Sequence, residues 1–345
     1  MNKNLGQLTK KKQQLDKFRP LSKDIIKNLE EWLKVELTYS SNAIEGNTLS
    51  RLETAEVIEK GVSATISGKA LKDQLEAINH TKALELIKNL VEQRKGHQFV
   101  KEGDIKSIHK TILTGIDDQW AGKYRQTDVF IRGVGVEFPR PNEVSYKMKQ
   151  FVEWLESQQE SHPVRIAADA HFKFVSIHPF VDGNGRTARL LMNFILVLNS
   201  YPMAVVRNED RTKYLEAVNK GQTKGDLQSF YDLMELSVER SLDAYLNAVE
   251  GKLPLGPLTK GIRPSDDVLE KKLLKIGELA KATEETIHTL RYWTKQGLLE
   301  VREYTKGGYH LYSPSMINRV KKIRQLQDEE RLTIIEIKRR FSNNK

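Results

Sequence analysis

The sequence contains no cysteine in its 345 residues, so disulfide bonds and thiolate metal sites are excluded. It has no apolar run of membrane-spanning length, and we therefore expect no transmembrane helix and no membrane partner. Its first residues carry positive charge with no apolar segment after them, a pattern unlike that of a secretory signal. These absences lead us to expect a cytoplasmic protein.

Positive charge is concentrated at the C-terminal end of the chain. The formal net charge is +10, and residues 271–345 hold 17 Lys and Arg against 9 Asp and Glu, a balance of +8. All the preceding residues together therefore carry only +2. A basic end of this kind indicates either a polyanionic partner or a solubilising surface, and charge alone does not decide between them.

Helical periodicity dominates the sequence before residue 250, which predicts a mainly α fold. An apolar stripe that includes Leu29, Leu33 and Leu37 predicts a helix over 22–45, and Gly46 offers its end. The same spacing predicts further helices over 52–60, 70–94 and about 103–113, 143–160 and 163–175.

Two segments interrupt this helical pattern. In VFIRGVGVEFPRP (129–141), β-branched and aromatic residues lie on both sides of Gly133 and Gly135, which predicts a β-hairpin. A lone hairpin cannot supply its own core, so we expect it to lie as a flap over another part of the protein. Residues 251–267 contain three prolines and three glycines and predict a linker.

The stretch HPFVDGNGRTAR (178–189) combines groups that suit phosphate chemistry. A Gly-Asn-Gly turn that leads into a helix exposes backbone N–H groups which, with the helix dipole, form an anion site. Arg186 and Arg189 share one face of that helix, and two guanidinium groups suit a polyphosphate. Asp182 can hold Mg²⁺ beside them, and His178 can act as a general base. Each residue alone is more often a turn former or a solvated side chain, but their combination indicates a catalytic site.

This stretch fills every specified position of the Fic signature H-x-F-x-[D/E]-G-N-G-R-x-x-R, and the chain resembles the Fic family over about residues 35–245. The resemblance includes AGKYR (121–125), the predicted flap and DRTKYLEAV (210–218). It implies a Fic-type helical bundle with a β-hairpin flap. The implied activity is nucleotidyl transfer, usually of AMP from ATP to a protein hydroxyl.

The resemblance also implies a role for individual residues. His178 would take the proton from a Ser, Thr or Tyr hydroxyl of the target protein, and Asp182 would hold Mg²⁺ on the phosphates of ATP. The flap would bind the target segment by strand pairing. Contacts with the nucleotide are expected from Gly183, Asn184, Gly185, Arg186, Arg189 and, at the adenine, Tyr214.

A second motif of the Fic family, S/T-x-x-x-E-G/N, marks an inhibitory helix, and Ser41, Glu45 and Gly46 fill its positions. Glu45 faces the negative end of its helix dipole, which costs about 0.3–1 kcal/mol. The residue is either a tolerated surface glutamate or one held by an external arginine. By resemblance, that arginine is Arg189, whose site for the γ-phosphate would then be blocked. In some family members the same glutamate positions water for the removal of AMP.

The basic end resembles the winged helix-turn-helix of the MerR family over roughly 273–341, because IGELA, TLRYW, GLL and GGYHLYS occur in the expected order. We expect Thr283 to cap a helix over 284–293 that enters the major groove, followed by a hairpin wing around residues 307–308. The long dimerisation helix of that family is absent, which leaves open whether a homodimer forms and whether the domain binds protein instead of DNA. The DNA contacts expected from the resemblance are Arg291, Arg302, Lys306 and Tyr309.

These patterns predict an N-terminal helical segment with the inhibitory motif (1–50), a Fic catalytic domain (51–250), the linker and a winged helix-turn-helix domain (268–345). The expected function is that of an autoinhibited protein adenylyltransferase that uses ATP and Mg²⁺, modifies a protein target or itself, and binds DNA. The main alternative is a transcriptional regulator in which the same fold only senses a nucleotide. A third hypothesis is that the protein is a transferase of the same kind but transfers UMP or phosphocholine instead of AMP.

Overall fold

Described residues up to 250 belong to one compact unit, and those from 273 onward belong to a second. The predicted linker, 251–267, lies outside the described residues. The computed structural model describes residues 3–64, 66–94, 100–130, 135–158, 160–250, 273–283, 285–304, 309–313, 315–328, 330 and 332–342.

The first unit is built from α-helices, with short 3₁₀ turns at Gly61–Ser63 and Asn208–Asp210. In chain order its helices are α1 (Lys3–Asp16), α2 (Lys23–Ile44), α3 (Arg51–Lys60), α4 (Leu71–Glu92), α5 (Glu102–Leu113), α6 (Pro141–Ser157), α7 (Pro163–Ile177), α8 (Asn184–Leu198), α9 (Arg211–Lys224) and α10 (Gln228–Val249).

Helix α8 lies at the centre of this unit, and its side chains are buried on every side. Leu190, Leu191 and Met192 are each at most 1% exposed, although successive residues point about 100° apart around the helix axis. A helix buried all round must be surrounded by other elements, and α2, α4, α5 and α7 pack against α8. The loop between α7 and α8, which carries the predicted phosphate site, is thereby anchored in the core at both ends.

The apolar periodicity predicts most of these helices to within a few residues. The helix predicted over 22–45 is observed as α2, and the one predicted over 70–94 is observed as α4. The predicted helices do not include α1, α9 or α10. Of these, α1 is a mostly polar helix. Its position depends on Leu8 and Leu15, which are buried, and on Lys11, whose ammonium group pairs with Glu239 and Asp243 of α10 at 2.8 and 2.6 Å.

The predicted flap lies only partly within the described residues. Residues 131–134 fall outside them, and the flanking residues 129–130 and 135–140 form neither helix nor strand. Across the described parts of the chain, no helix combines the length and the apolar character that crossing a bilayer requires.

The second unit is a small winged helix-turn-helix. Strand β3 is central in its sheet and runs antiparallel to β1 and β2, with Leu311 opposite both Lys275 and Glu303. Trp293 and Tyr312 lie in its separate core. The elements are β1 (Leu274–Lys275), α11 (Ile276–Thr283), α12 (Ile287–Lys295), β2 (Glu303–Tyr304), β3 (His310–Tyr312), α13 (Ser315–Asp328) and α14 (Ile334–Ser342).

The predicted start of the second helix of this unit, capped by Thr283, is wrong. Thr283 is the last residue of α11, and its hydroxyl donates to the Leu279 carbonyl oxygen one turn back at 2.8 Å. The cap of α12 is Thr286, whose Oγ1 accepts the Thr289 backbone N–H at 3.0 Å. Both threonines are chemically able to cap a helix, but a side chain that already bonds to its own helix cannot cap the next one.

Candidate active site

The loop of residues 178–183 is closed by the side chain of Asn184, the first residue of α8. Its Oδ1 accepts the backbone N–H of Phe180 at 3.0 Å, and its Nδ2 donates to the carbonyl oxygen of the same residue at 2.8 Å. Asn184 is 2% exposed, so neither group of Phe180 has water as an alternative partner. This paired contact makes the loop one rigid turn instead of a free connection.

His109 of α5 packs against the loop and forms a hydrogen bond with it. The Phe180 ring stacks on its imidazole with 3.5 Å between the ring centroids. Gly122 donates its backbone N–H to His109 Nδ1 at 2.9 Å, so Nε2 carries the proton and donates to the Asp182 carbonyl oxygen at 2.9 Å. Burial lowers the pKa of His109 to about 4, which keeps the ring neutral and preserves this arrangement. No motif in the sequence identifies His109.

His178 terminates α7 with a left-handed backbone, φ 50°, a conformation that is uncommon for residues other than glycine. Its Nδ1 lies 3.3 Å from the Val175 carbonyl oxygen, so the proton resides on Nδ1 and Nε2 keeps its lone pair. The Phe138 ring lies against the imidazole, with 4.6 Å between centroids. Burial lowers the pKa of His178 to about 4, and the neutral ring can accept a proton at pH 7.

The turn that begins α8 is the place where the sequence predicts an anion site. Gly183 has φ 77°, and a Cβ there would lie 3.1 Å from the Ile112 side chain, so both backbone and space require glycine. The first N–H groups of α8 have no partner within the helix, as at every helix start. The Glu45 carboxylate lies directly over this turn, because a Cβ added to Gly185 would collide with Glu45 Oε1. A carboxylate of the same chain thus lies where the sequence predicts a bound anion.

Arg189 is buried on the second turn of α8 and is 4% exposed. Its Nη2 donates to Glu45 Oε1 at 2.7 Å and to the Ser41 carbonyl oxygen at 2.8 Å. Its Nε donates to Ser41 Oγ at 3.0 Å, and Nη1 donates to the Tyr214 hydroxyl at 3.3 Å. The structure therefore brings Ser41, Glu45 and Arg189 into direct contact, as the sequence motif predicts for an inhibitory helix.

Tyr214 is held between Arg189 and a buried histidine. Burial lowers the pKa of His171 to about 3, so its neutral ring can accept the Tyr214 hydroxyl proton at Nε2 across 3.0 Å. Tyr214 is 3% exposed. Its hydroxyl thus completes the surroundings of the Arg189 guanidinium, and the sequence contains no signal that identifies His171 as its partner.

Arg186 lies between two carboxylates. Its Nη1 lies 3.0 Å from Glu76 Oε1 of α4, and its Nη2 lies 3.6 Å from Asp182 Oδ2. Glu76 also accepts the Asn47 side-chain N–H at 2.8 Å. The charges of Arg186 and Glu76 are paired, but the Nε and Nη1 of Arg186 make no aligned hydrogen bond within the described residues. Two buried donors are therefore available to an added acceptor, and sequence patterns alone do not reveal Glu76.

The end of α2 that carries Glu45 is fixed by Arg211. The Nε of Arg211 donates to the Ile44 carbonyl oxygen at 2.7 Å, where the negative end of the helix dipole lies. Gly46 then turns the chain with φ 98°, and the backbone N–H of Asn47 bonds to Asn42 at 3.1 Å. These contacts direct Glu45 toward Arg189.

Asp182 is the most exposed member of the site, with 55% of its side chain accessible. Its Oδ1 accepts the backbone N–H of Gly183 at 2.6 Å. Among the described residues there is no group of three or more His, Asp or Glu side chains that could hold a metal by themselves.

The residues predicted to contact DNA lie in the second unit. Arg291 is exposed on α12, on the face that also carries His288 and Lys295. Arg302 is exposed before β2, and Tyr309 is 71% exposed before β3. Lys306 lies outside the described residues.

Comparison with known proteins gives two family matches. The model of the Fic/DOC family matches residues 99–196, which include the whole 178–189 stretch, and that of the MerR HTH family of regulatory proteins matches residues 274–344. A curated relative from Nematostella vectensis, named protein adenylyltransferase Fic, is 37% identical over 210 residues. That alignment covers 60% of this chain and 48% of the relative. The chain thus spans about half the length of the curated relatives it matches.

Solved structures give the same family. Fic-1 from C. elegans is 30% identical, with a TM-score of 0.65 and a coverage of 73% of both chains. A Fic domain containing signaling protein from Bacteroides thetaiotaomicron is also 30% identical, with a TM-score of 0.63. The match to it covers 72% of this chain and 97% of that chain.

The closure of the loop by Asn184 can be tested by stability. Asn184→Ala leaves the Phe180 N–H and carbonyl groups buried without partners, and we expect a loss of about 1–3 kcal/mol in the free energy of unfolding for each group. Chemical denaturation measures this loss. The matched control is Asn199→Ala at the exposed end of α8, where the side chain makes one bond to Ile195 at 2.8 Å, and we expect a loss under about 1 kcal/mol there. Equal losses in the two variants would contradict the closure.

Proposed function

This chain belongs to the Fic/DOC family, and we propose that it is an autoinhibited protein adenylyltransferase. It transfers AMP from ATP to the hydroxyl group of a protein side chain, and Glu45 holds it inactive. The observation that carries the proposal is the 2.7 Å ion pair between Glu45 and the buried Arg189. This pair lies beside a loop and a helix start whose other groups suit the binding of phosphate.

The phosphates of ATP bind where the loop offers unpaired donors. The first N–H groups of α8 have no partner within the helix. The Nε and Nη1 atoms of Arg186 lack aligned acceptors within the described residues. A triphosphate would satisfy these donors and, at its γ-phosphate, would pair with Arg189. Asp182 fits Mg²⁺ at this position, since that ion typically takes one or two carboxylates plus substrate phosphates. The ion would neutralise charge on the phosphates.

The transfer itself requires a base on the side of the target hydroxyl. His178 Nε2 takes the proton as the hydroxyl oxygen attacks the α-phosphorus, and the bond from that phosphorus to the bridging oxygen of the β-phosphate breaks. Pyrophosphate leaves, and the proton remains on the imidazole. Arg186 and the α8 amides stabilise the charge that develops on the phosphates, so the protein contributes mainly positioning and electrostatics.

Glu45 prevents this reaction by competing with the substrate. Its carboxylate takes the Arg189 donor that the γ-phosphate requires, and it covers the α8 turn at Gly185. Two anions cannot share this site without strong repulsion, so productive ATP binding requires Glu45 to move.

We expect Glu45→Gly to raise the incorporation of labelled AMP from ATP by about 10- to 100-fold. The loss of a hydrogen bond between charged groups, worth about 1.5–3 kcal/mol, frees Arg189 for the γ-phosphate. Glu45→Gln, which keeps the shape but loses the charge, should give an intermediate rate. An unchanged rate in both variants would show that Glu45 does not inhibit the reaction.

We expect His178→Ala, made in the Glu45→Gly background, to lower AMP incorporation by about 10²–10⁴-fold, the contribution of a general base. Calorimetry should show that Mg-ATP binding is retained within about twofold, because the imidazole does not contact the phosphate donors. Binding of ATP with no His178-dependent labelling would favour the alternative, a regulator that only senses a nucleotide.

We propose that the second unit binds DNA through the exposed face of α12 and the wing. Arg291, His288 and Lys295 form a basic stripe on that helix, as a helix in the major groove requires. Binding to two half-sites would need a homodimer, which light scattering on the purified chain would detect.

Gel shifts test the DNA proposal. We expect affinity for duplex DNA to fall steeply with salt and Arg291→Ala to weaken binding by about 1–3 kcal/mol. Lys213→Ala, an exposed cation of the first unit, is the matched control and should change binding by less than about twofold. Affinity that is independent of salt, or equal effects of the two variants, would favour a protein partner.

A further inference from the structure

Arg125, the last residue of AGKYR, is a buried arginine that the steps above do not use. It is 2% exposed, and the acceptors of its side chain are three backbone carbonyl oxygens. Nε donates to His178 at 2.8 Å, Nη1 donates to Thr127 at 3.1 Å, and Nη2 donates to Pro139. Its own backbone N–H bonds to the Pro179 carbonyl oxygen at 2.9 Å.

These acceptors belong to three separate stretches of chain. Thr127 precedes the predicted flap, Pro139 lies where the flap returns to α6, and His178 carries the imidazole that serves as the base. Phe138, next to Pro139, places its ring against that imidazole. The guanidinium of Arg125 is therefore the one group, within the described residues, that bonds to both ends of the flap segment and to the catalytic loop.

Only arginine suits this position. A guanidinium offers five N–H donors in a rigid planar fork, so it can bond to three carbonyl groups whose directions differ. A lysine ammonium would keep the charge but could not span the same acceptors with fixed geometry. The carbonyl dipoles stabilise the charge in place of a carboxylate, since no ion pair to Arg125 is formed within the described residues.

We propose that Arg125 is a positioning residue for AMP transfer: it holds Thr127 and Pro139, on either side of the flap segment, against His178, so that an incoming hydroxyl is presented to Nε2. This inference rests on the proposed function. It concerns the side of the site that receives the hydroxyl and leaves the phosphate side unchanged, so the two sides should respond separately to substitution.

The experiment uses the full chain with Glu45→Gly and compares Arg125→Gln, Arg125→Lys and, as the matched control, Lys123→Gln, an exposed cation two residues earlier. Incorporation of labelled AMP into the chain itself and into added extract protein should fall by about 100-fold in Arg125→Gln, since a displacement of about 1 Å can cost that much. The affinity for Mg-ATP should stay within about twofold. Arg125→Lys should be intermediate, and Lys123→Gln should match its parent.

A pH profile of both variants separates loss of charge from loss of packing, because Arg125→Lys keeps the positive charge at this position. Burial is the largest cause of the low pKa of His178, the charge of Arg125 lowers it further, and Glu45 and Asp182 raise it. Removing the Arg125 charge should therefore raise this pKa and move the acid limb of activity to higher pH in Arg125→Gln, but not in Arg125→Lys.

Three results would overturn the inference. Arg125→Gln could keep more than half of the parent rate, it could lose ATP affinity and rate in the same proportion, or its acid limb could stay in place. If Arg125→Gln does not fold, as judged by thermal unfolding, Arg125→Lys carries the test through its ratio of rate to ATP affinity. Failure of the Glu45→Gly parent to incorporate AMP would instead refute the proposed function, which keeps the two failures distinct.

Discussion

The site depends on one constraint: the guanidinium of Arg189 is buried, and its charge must be balanced by groups of the site. Removing a charge from water without a partner costs several kcal/mol. In this structure the partner is Glu45, with Ser41 and Tyr214 completing the surroundings. A phosphate can replace the carboxylate with no net loss of pairing, whereas no partner at all is the least stable arrangement. In the proposed function, inhibition and nucleotide binding are therefore two ways to balance the same buried charge.

The central position of α8 fixes the places of Arg186 and Arg189 in the site. Because α8 is buried on every side, it cannot rotate or shift without disturbing core residues such as Leu191 and Phe194. Arg186 and Arg189 are thus held on fixed turns, and each meets a glutamate from a different helix, Glu76 from α4 and Glu45 from α2. The two pairs differ in exposure: the side chain of Glu76 is 8% accessible and that of Glu45 is 39% accessible. Displacement of Glu45 therefore needs less rearrangement than displacement of Glu76.

Local patterns in the sequence predict the helices that carry an apolar stripe and the turn into α8, because both are encoded within a few neighbouring residues. They do not predict Glu76, His109 or His171, since each acts on a loop or helix that is distant in sequence and none lies in a motif of its own. Helix α1 is not predicted for a related reason: its Lys11 forms ion pairs with acidic residues of α10, which packs against it but lies more than 200 residues later in the sequence. The start of α12 is mispredicted because a threonine can cap forward or bond backward, and only the observed end of α11 decides which.

The two ends of the proposed reaction are supported by different parts of the fold. On the phosphate side, Arg189 and Glu45 are linked to α9 through Tyr214 and through Arg211, which holds the end of α2. On the hydroxyl side, His178 is linked to the flap segment through Arg125 and Phe138. The closed loop of residues 178–184 is where both sets of contacts meet, since Asn184 joins the start of α8 to Phe180 in the middle of the loop. Under the proposed function, a change at the end of α2 can therefore alter phosphate binding without disturbing His178. This separation would allow the chain to carry the inhibitory Glu45 beside a fully formed loop.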